Sequence, residues 1–134
     1  MKKSVNFFKV LSIATSILFI YLFIQLFLNS VSFVKGLGLQ PSEASSVLAR
    51  RASMFMLGIS VLMFGARNLS HSQARQIICL ATGITMLGLS CMGTYEFIRG
   101  AVNSSIFIAI IIETLLWISF GIIIFKNRNS QIVQ

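Results

Sequence analysis

Four long apolar runs, joined by short links that hold most of the charge, constrain what this 134-residue chain can fold into. Val10 to Val34 is uncharged between Lys9 and Lys35, and Ala52 to Ala66 is uncharged between Arg51 and Arg67. Gln76 to Tyr95 lies between Arg75 and Glu96. Gly100 to Phe125 lies between Arg99 and Lys126, with Glu113 as its one interruption. A helix needs about 20 mainly apolar residues to cross a bilayer. The second run is short, but arginines at its ends can snorkel and lengthen the apolar stem. Apolar–polar alternation at period two is absent, which argues against a β-barrel. A backbone in hydrocarbon must then satisfy its own hydrogen bonds as helix. The expected fold is all-α. It is a single membrane domain over residues 1–134, with four transmembrane helices at about 10–34, 47–66, 76–97 and 102–125 in an antiparallel bundle.

Composition agrees with this reading. Charged residues make up 10% of the chain and hydrophobic ones 56%, whereas soluble domains carry about 25% charged residues. The solvent of such a chain is lipid. That excludes a soluble enzyme, a disordered tail and a nucleic-acid reader, despite a formal charge of +8.

The basic residues instead report orientation. Lys2, Lys3, Lys9, Arg67, Arg75, Lys126 and Arg128 fall on the side of the two termini, and Lys35, Arg50, Arg51 and Arg99 on the other. The second side also holds Glu43 and Glu96. The excess of seven over four predicts cytoplasmic termini. Lys2 and Lys3 before an apolar run imitate a signal peptide, but the run from Val10 to Leu28 exceeds the 7–15 residues of a signal core. It reads as an uncleaved first helix.

Punctuation is sparse. Gly36 and Gly38 can close the first helix in the left-handed conformation. Pro41 suits a helix's first turn, so the second helix is expected to begin near Ser42. On that helix Met54, Gly58, Val61 and Gly65 form a seam of alternating spacing, as do Ala81, Thr85, Gly88, Met92 and Tyr95 on the third. Small residues on such seams predict that the second and third helices are close neighbours. Cys79 and Cys91 lie about 18 Å apart along one helix, too far to bridge each other. Neither belongs to a CxxC pair, and both read as apolar filler. His71 is the lone histidine, so no metal site or cofactor is expected.

Glu113 is the chemical anomaly. It is the fourteenth residue of a 26-residue apolar run, near the bilayer midplane, where an ionised side chain costs about 2.5–3.5 kcal/mol on translocon scales. Facing the protein relieves that cost through a proton, a partner or a wet cavity. Ala109, Glu113, Trp117 and Gly121 share one helix face at spacings of four. A purely structural reading has the Glu113 carboxyl hydrogen-bonded to Thr85 or Ser60. A functional reading joins it to a second polar row, Tyr21, Gln25 and Asn29. Arg50 and Arg51 enter from the second helix, and Tyr95, Glu96 and Arg99 cluster at the end of the third. Converging inward, these residues would build an outward-open polar crevice with Glu113 at its floor, able to hold a proton or an anionic head group.

Pro41, Ala49-Arg50, Gly58 and Gly65-Ala66-Arg67 together form a pattern that resembles a family of small bacterial four-helix membrane proteins classed as a domain of unknown function. The likeness spans about residues 10–125. It implies a four-helix inner-membrane protein and brings no activity, and Glu113 lies outside the pattern. Three roles follow for comparison. The first is a non-catalytic membrane protein working through helix contacts with lipids, a second copy or a membrane protein partner. The second is a proton-coupled transporter or ligand-binding bundle centred on Glu113. The third is a membrane-embedded enzyme on lipid-like substrates, for which Tyr21 or Tyr95 is the evident proton partner of Glu113 or Glu96.

Overall fold

The computed structural model describes residues 2–131, with side-chain surroundings for residues 7–126. The side chains of Lys2, Lys3 and Arg128, counted above for orientation, lie outside the described residues. The chain is all-helical: α1 (Lys2–Leu28), α2 (Ser30–Gly36), α3 (Glu43–Ala66), α4 (Gln73–Ile98) and α5 (Ile106–Gln131). Four of these are long and apolar enough to cross a membrane. They form an antiparallel bundle in which the first turns of α1 and the last turns of α5 meet at one end. Their outward faces carry Ile17, Phe55, Ile84, Leu115 and many other exposed large apolar side chains. Such an apolar mantle marks a surface covered by something other than water.

The helix ends follow local chemistry. Ser42 caps α3 through a reciprocal box. Its hydroxyl accepts from the Ser45 N–H at 3.1 Å while the Ser45 hydroxyl accepts from the Ser42 N–H at 2.9 Å. Glu43 adds an acid to the first turn, where the helix dipole favours it. Ser72 caps α4 by accepting from Arg75 N–H at 3.3 Å. Gly38 and Gly100 turn the chain at φ +83° and +70°, a region that costs other residues about 1–2 kcal/mol.

The first apolar run is not one straight helix. Asn29 leaves helical geometry at φ −119° and ψ 32°. Its N–H still donates to Gln25 at 3.0 Å, and its carbonyl accepts from Phe33 at 2.9 Å. These two bonds carry the chain through the kink at which α2 begins.

Pairing also differs from expectation. α1 packs along α3 and α4 packs along α5, while α3 and α4 are not close neighbours. The small-residue seams read from the sequence face outward. Val61 is 65% exposed and Met92 55%, and nothing lies within 4 Å of a Cβ built on Gly58, Gly65 or Gly88. The buried rows are Ser53, Ser60 and Met63 on α3, and Arg75, Cys79, Thr82, Met86 and Ser90 on α4. The physical reason is the hydroxyls. Ser16 and Ser60 exchange hydrogen bonds between α1 and α3. Ser90 and Thr114 join α4 to α5 at 2.9 Å. In lipid, polar pairs and close backbone approach drive helix association, since burying more hydrocarbon brings no gain there. Gly93 supplies the close approach, as an added Cβ would stand 3.0 Å from Ile110 Cγ1.

The two helix pairs meet at the end carrying the chain termini. Phe8, Leu11, Met63, Ala66, Cys79, Phe120 and Ile123 form one buried cluster drawn from all four long helices. Thr82 Oγ1 reaches Met63 Sδ at 3.6 Å beside it. Arg75 is fully buried there, its guanidinium 4.2 Å from the centre of the Phe8 ring. At the opposite end a strap joins the pairs. Asn103 Nδ2 and Ser105 Oγ both donate to the Gly36 carbonyl, at 3.0 and 2.7 Å. The Asn103 N–H donates to Leu37 O at 2.9 Å.

Candidate functional site

Between the terminal cluster and the strap the helix pairs separate, leaving a cavity of about 470 Å³. Its floor is Phe19 and Met86, each 1% exposed. Leu18, Leu22 and Leu26 form the α1 wall, and Ile106, Ala109 and Ile112 the α5 wall. Phe33 and Leu37 cover it on the strap side, with Met56 and Leu89 behind. Tyr21, 55% exposed, and Ile108, 69% exposed, line the cavity and also belong to the bundle's outer face. The cavity therefore opens sideways, toward the surface that the apolar mantle presents to the bilayer.

Glu113 lines this cavity and is half-buried. Helical spacing explains its place: Ala109 lies one turn before it on the same face, and that small side chain leaves room beside the carboxyl. No described residue gives it a hydrogen bond. The partners expected for it are occupied elsewhere, since Thr85 donates to Ala81 O at 2.9 Å and Ser60 pairs with Ser16. The structural reading of Glu113 as bonded to Thr85 or Ser60 is therefore corrected. Most described hydroxyls are satisfied on their own helix or across a pair, as lipid surroundings favour, with Ser12 and Thr15 on α1 as buried exceptions.

Of the other residues expected at a site, the structure brings only Tyr21 to the same cavity as Glu113. Gln25, Asn29, Arg50, Arg51, Tyr95, Glu96 and Arg99 do not line it. The expected outward-open polar crevice does not form. On α1 the cavity face is the Leu18–Leu22–Leu26 row, and the Tyr21–Gln25–Asn29 row lies one residue, about 100°, around the helix. Tyr21 reaches the cavity from its edge. The strap and the apolar cover of Phe33, Leu37 and Ile106 stand between Glu113 and the end where the arginines lie.

Those rim residues interact with one another at the surface. Arg99 Nη1 lies 3.5 Å from Glu96 Oε1, and Arg99 Cζ lies 5.4 Å from the centre of the Tyr95 ring, an exposed arrangement worth about 0–1 kcal/mol. Arg50 borders a broad open depression of about 980 Å³ with Glu43, Pro41 and Val31. None of its lining residues is buried, so nothing there is held in place for a ligand. Cys79 is buried and Cys91 exposed, both free. Among the described residues no three His, Cys, Asp or Glu side chains gather as metal ligands would.

The sequence reading missed the apolar walls and the strap. Asn103 and Ser105 fall inside the run expected to span 102–125, whereas α5 begins at Ile106, and the sequence offers them no visible partner because their acceptor is a backbone carbonyl 67 and 69 positions away. No protein family, curated protein or solved structure matches this chain. The chemistry of the site must be argued from its own groups: one carboxyl, one phenol and a lateral opening in an otherwise apolar chamber.

Proposed function

We propose that this chain is a multi-pass protein of a bacterial inner membrane, with both termini cytoplasmic, that takes a hydrophobic or amphiphilic molecule from the bilayer into its lateral cavity. The observation that carries this reading is an apolar chamber open to the bundle's flank with Glu113 on its wall. A volume of about 470 Å³ falls within the roughly 300–1,000 Å³ of small-molecule sites, which are likewise mostly apolar with a few polar groups. The orientation rests on the excess of lysine and arginine on the side of the termini. Contact with lipid is thus the working surface of the molecule, and a carboxyl at mid-depth is a functional group by default.

A second reading concerns partners. Gly58, Gly65 and Gly88 face open space on α3 and α4, which favours close packing of another transmembrane helix, from a second copy or a partner protein, on that side.

The test of the cavity is photolabelling in vesicles with a diazirine-bearing fatty alcohol, followed by mapping of the adducts. Phe19, Leu26 and Met86 are buried from annular lipid but line the chamber. Adducts on them, lost in Ala109→Phe, are expected. Labelling confined to outward residues such as Leu115 and Ile118 would show that nothing enters.

A further inference from the structure

The reading above leaves the class of ligand open, and the lining narrows it. Among the described residues Glu113 is the only charged one on the cavity wall, and none of them donates a hydrogen bond to it. None of the described lysines and arginines lies on that wall. An anionic amphiphile would bring its charge against the carboxyl with no cation to offset it. A plain hydrocarbon would fill the chamber and leave the carboxyl without a partner, at some of the cost of burying a polar group. A cation meets neither objection.

Three aromatic rings join the carboxyl on the lining: Phe19, Tyr21 and Phe33. Aromatic faces attract cations by their ring quadrupole, at about 2 kcal/mol or more when desolvated. The Tyr21 oxygen, on the open side, adds a neutral acceptor. Ser105, the one further polar side chain on the lining, spends its hydroxyl proton on the Gly36 carbonyl. The remaining walls are leucine, isoleucine, methionine and alanine, suited to an aliphatic body.

We propose that the cavity selects lipophilic monocations: an ammonium-type group held by Glu113 in a chamber whose lining also carries aromatic rings, with an aliphatic body lying between α1 and α5. The ligand arrives sideways, because the strapped end is covered by Phe33, Leu37 and Ile106 and the other end is filled by the Phe8–Met63–Cys79–Phe120 cluster. This inference rests on the reading of the chamber as a binding site and adds the charge of the occupant.

Dodecylamine, dodecanol and dodecanoate share one chain and differ only in head group. Binding to the native state raises its melting temperature, which the single tryptophan, Trp117, reports in detergent micelles. Dodecylamine should raise Tm by about 4 °C or more, dodecanol by less, and dodecanoate not at all. Glu113→Gln should remove the amine's advantage while keeping the alcohol's effect, and Glu113→Asp should retain the advantage. Equal shifts for amine and alcohol in the wild type, or an amine advantage that survives in Glu113→Gln, would overturn the cation assignment and leave the chamber as a neutral site. Shifts that persist undiminished in Ala109→Phe would remove the chamber itself as the place of binding.

Discussion

Ser16 and Ser60 lock α1 to α3 by a symmetrical exchange in which each hydroxyl donates to the other residue's backbone carbonyl at 2.9 Å, with the two oxygens 3.0 Å apart. The contact needs small side chains, because each helix must bring its backbone within a hydroxyl's reach of the other. Interhelical hydrogen bonds in lipid average about 0.6 kcal/mol and reach roughly 1.7. Ser16→Ala and Ser60→Ala should each lower stability toward unfolding in detergent. Their double mutant should lose less than the sum, with a coupling of about 0.5–1.5 kcal/mol. Full additivity would mean the two hydroxyls act independently.

The glycines of α4 divide into two kinds. A Cβ on Gly93 would stand 3.0 Å from Ile110 Cγ1 and 3.5 Å from Ile106 Cγ1, whereas one on Gly88 meets nothing. Gly93→Leu should wedge α4 from α5 and cost about 1–3 kcal/mol, as overpacking does. Gly88→Ala should be neutral or stabilise by about 0.5–1 kcal/mol through the helix backbone alone. Thermal unfolding of the two variants checks the contrast, and a fold that tolerates Gly93→Leu better than Gly88→Ala would refute the α4–α5 packing.

Glu113 contributes nothing to holding the helices together, since no described residue bonds it. Its removal should therefore help the empty protein. Glu113→Leu is expected to raise stability by less than the roughly 1–3 kcal/mol that a fully buried polar group without a partner costs, because the side chain is half-buried. Chemical denaturation in micelles, without added amphiphile, gives the sign. A loss of stability would mean the carboxyl has a structural partner after all.

The number and type of the long elements were legible because four uncharged runs of sufficient length leave hydrocarbon no alternative to helix. Ser42 as the start of α3 and Gly38 as the turn were legible from cap and turn chemistry. The pairing of helices was not. Glycine seams such as Gly58–Gly65 carry no direction, and in lipid the outward side of a helix is as apolar as the inward side. The better signal was the hydroxyl row: Ser53 and Ser60, then Thr82 and Ser90, mark the faces that pack. Glu113 was legible as an anomaly of position, and Tyr21 as a neighbour at similar depth. The leucine wall could not be read, because leucines line a chamber and face acyl chains with the same sequence pattern. The kink at Asn29 has no proline or glycine beside it to announce it.

Packing concentrated at one end and a strap at the other give the bundle the mechanics of a pair of tongs. The Phe8–Met63–Cys79–Phe120 cluster acts as the fulcrum, and the α1–α3 and α4–α5 pairs are the arms. Three hydrogen bonds from Asn103 and Ser105 to Gly36 and Leu37 set how far the arms stand apart. The span available to any guest is thus tied to the clasp, two of whose residues, Leu37 and Ser105, also form part of the chamber wall.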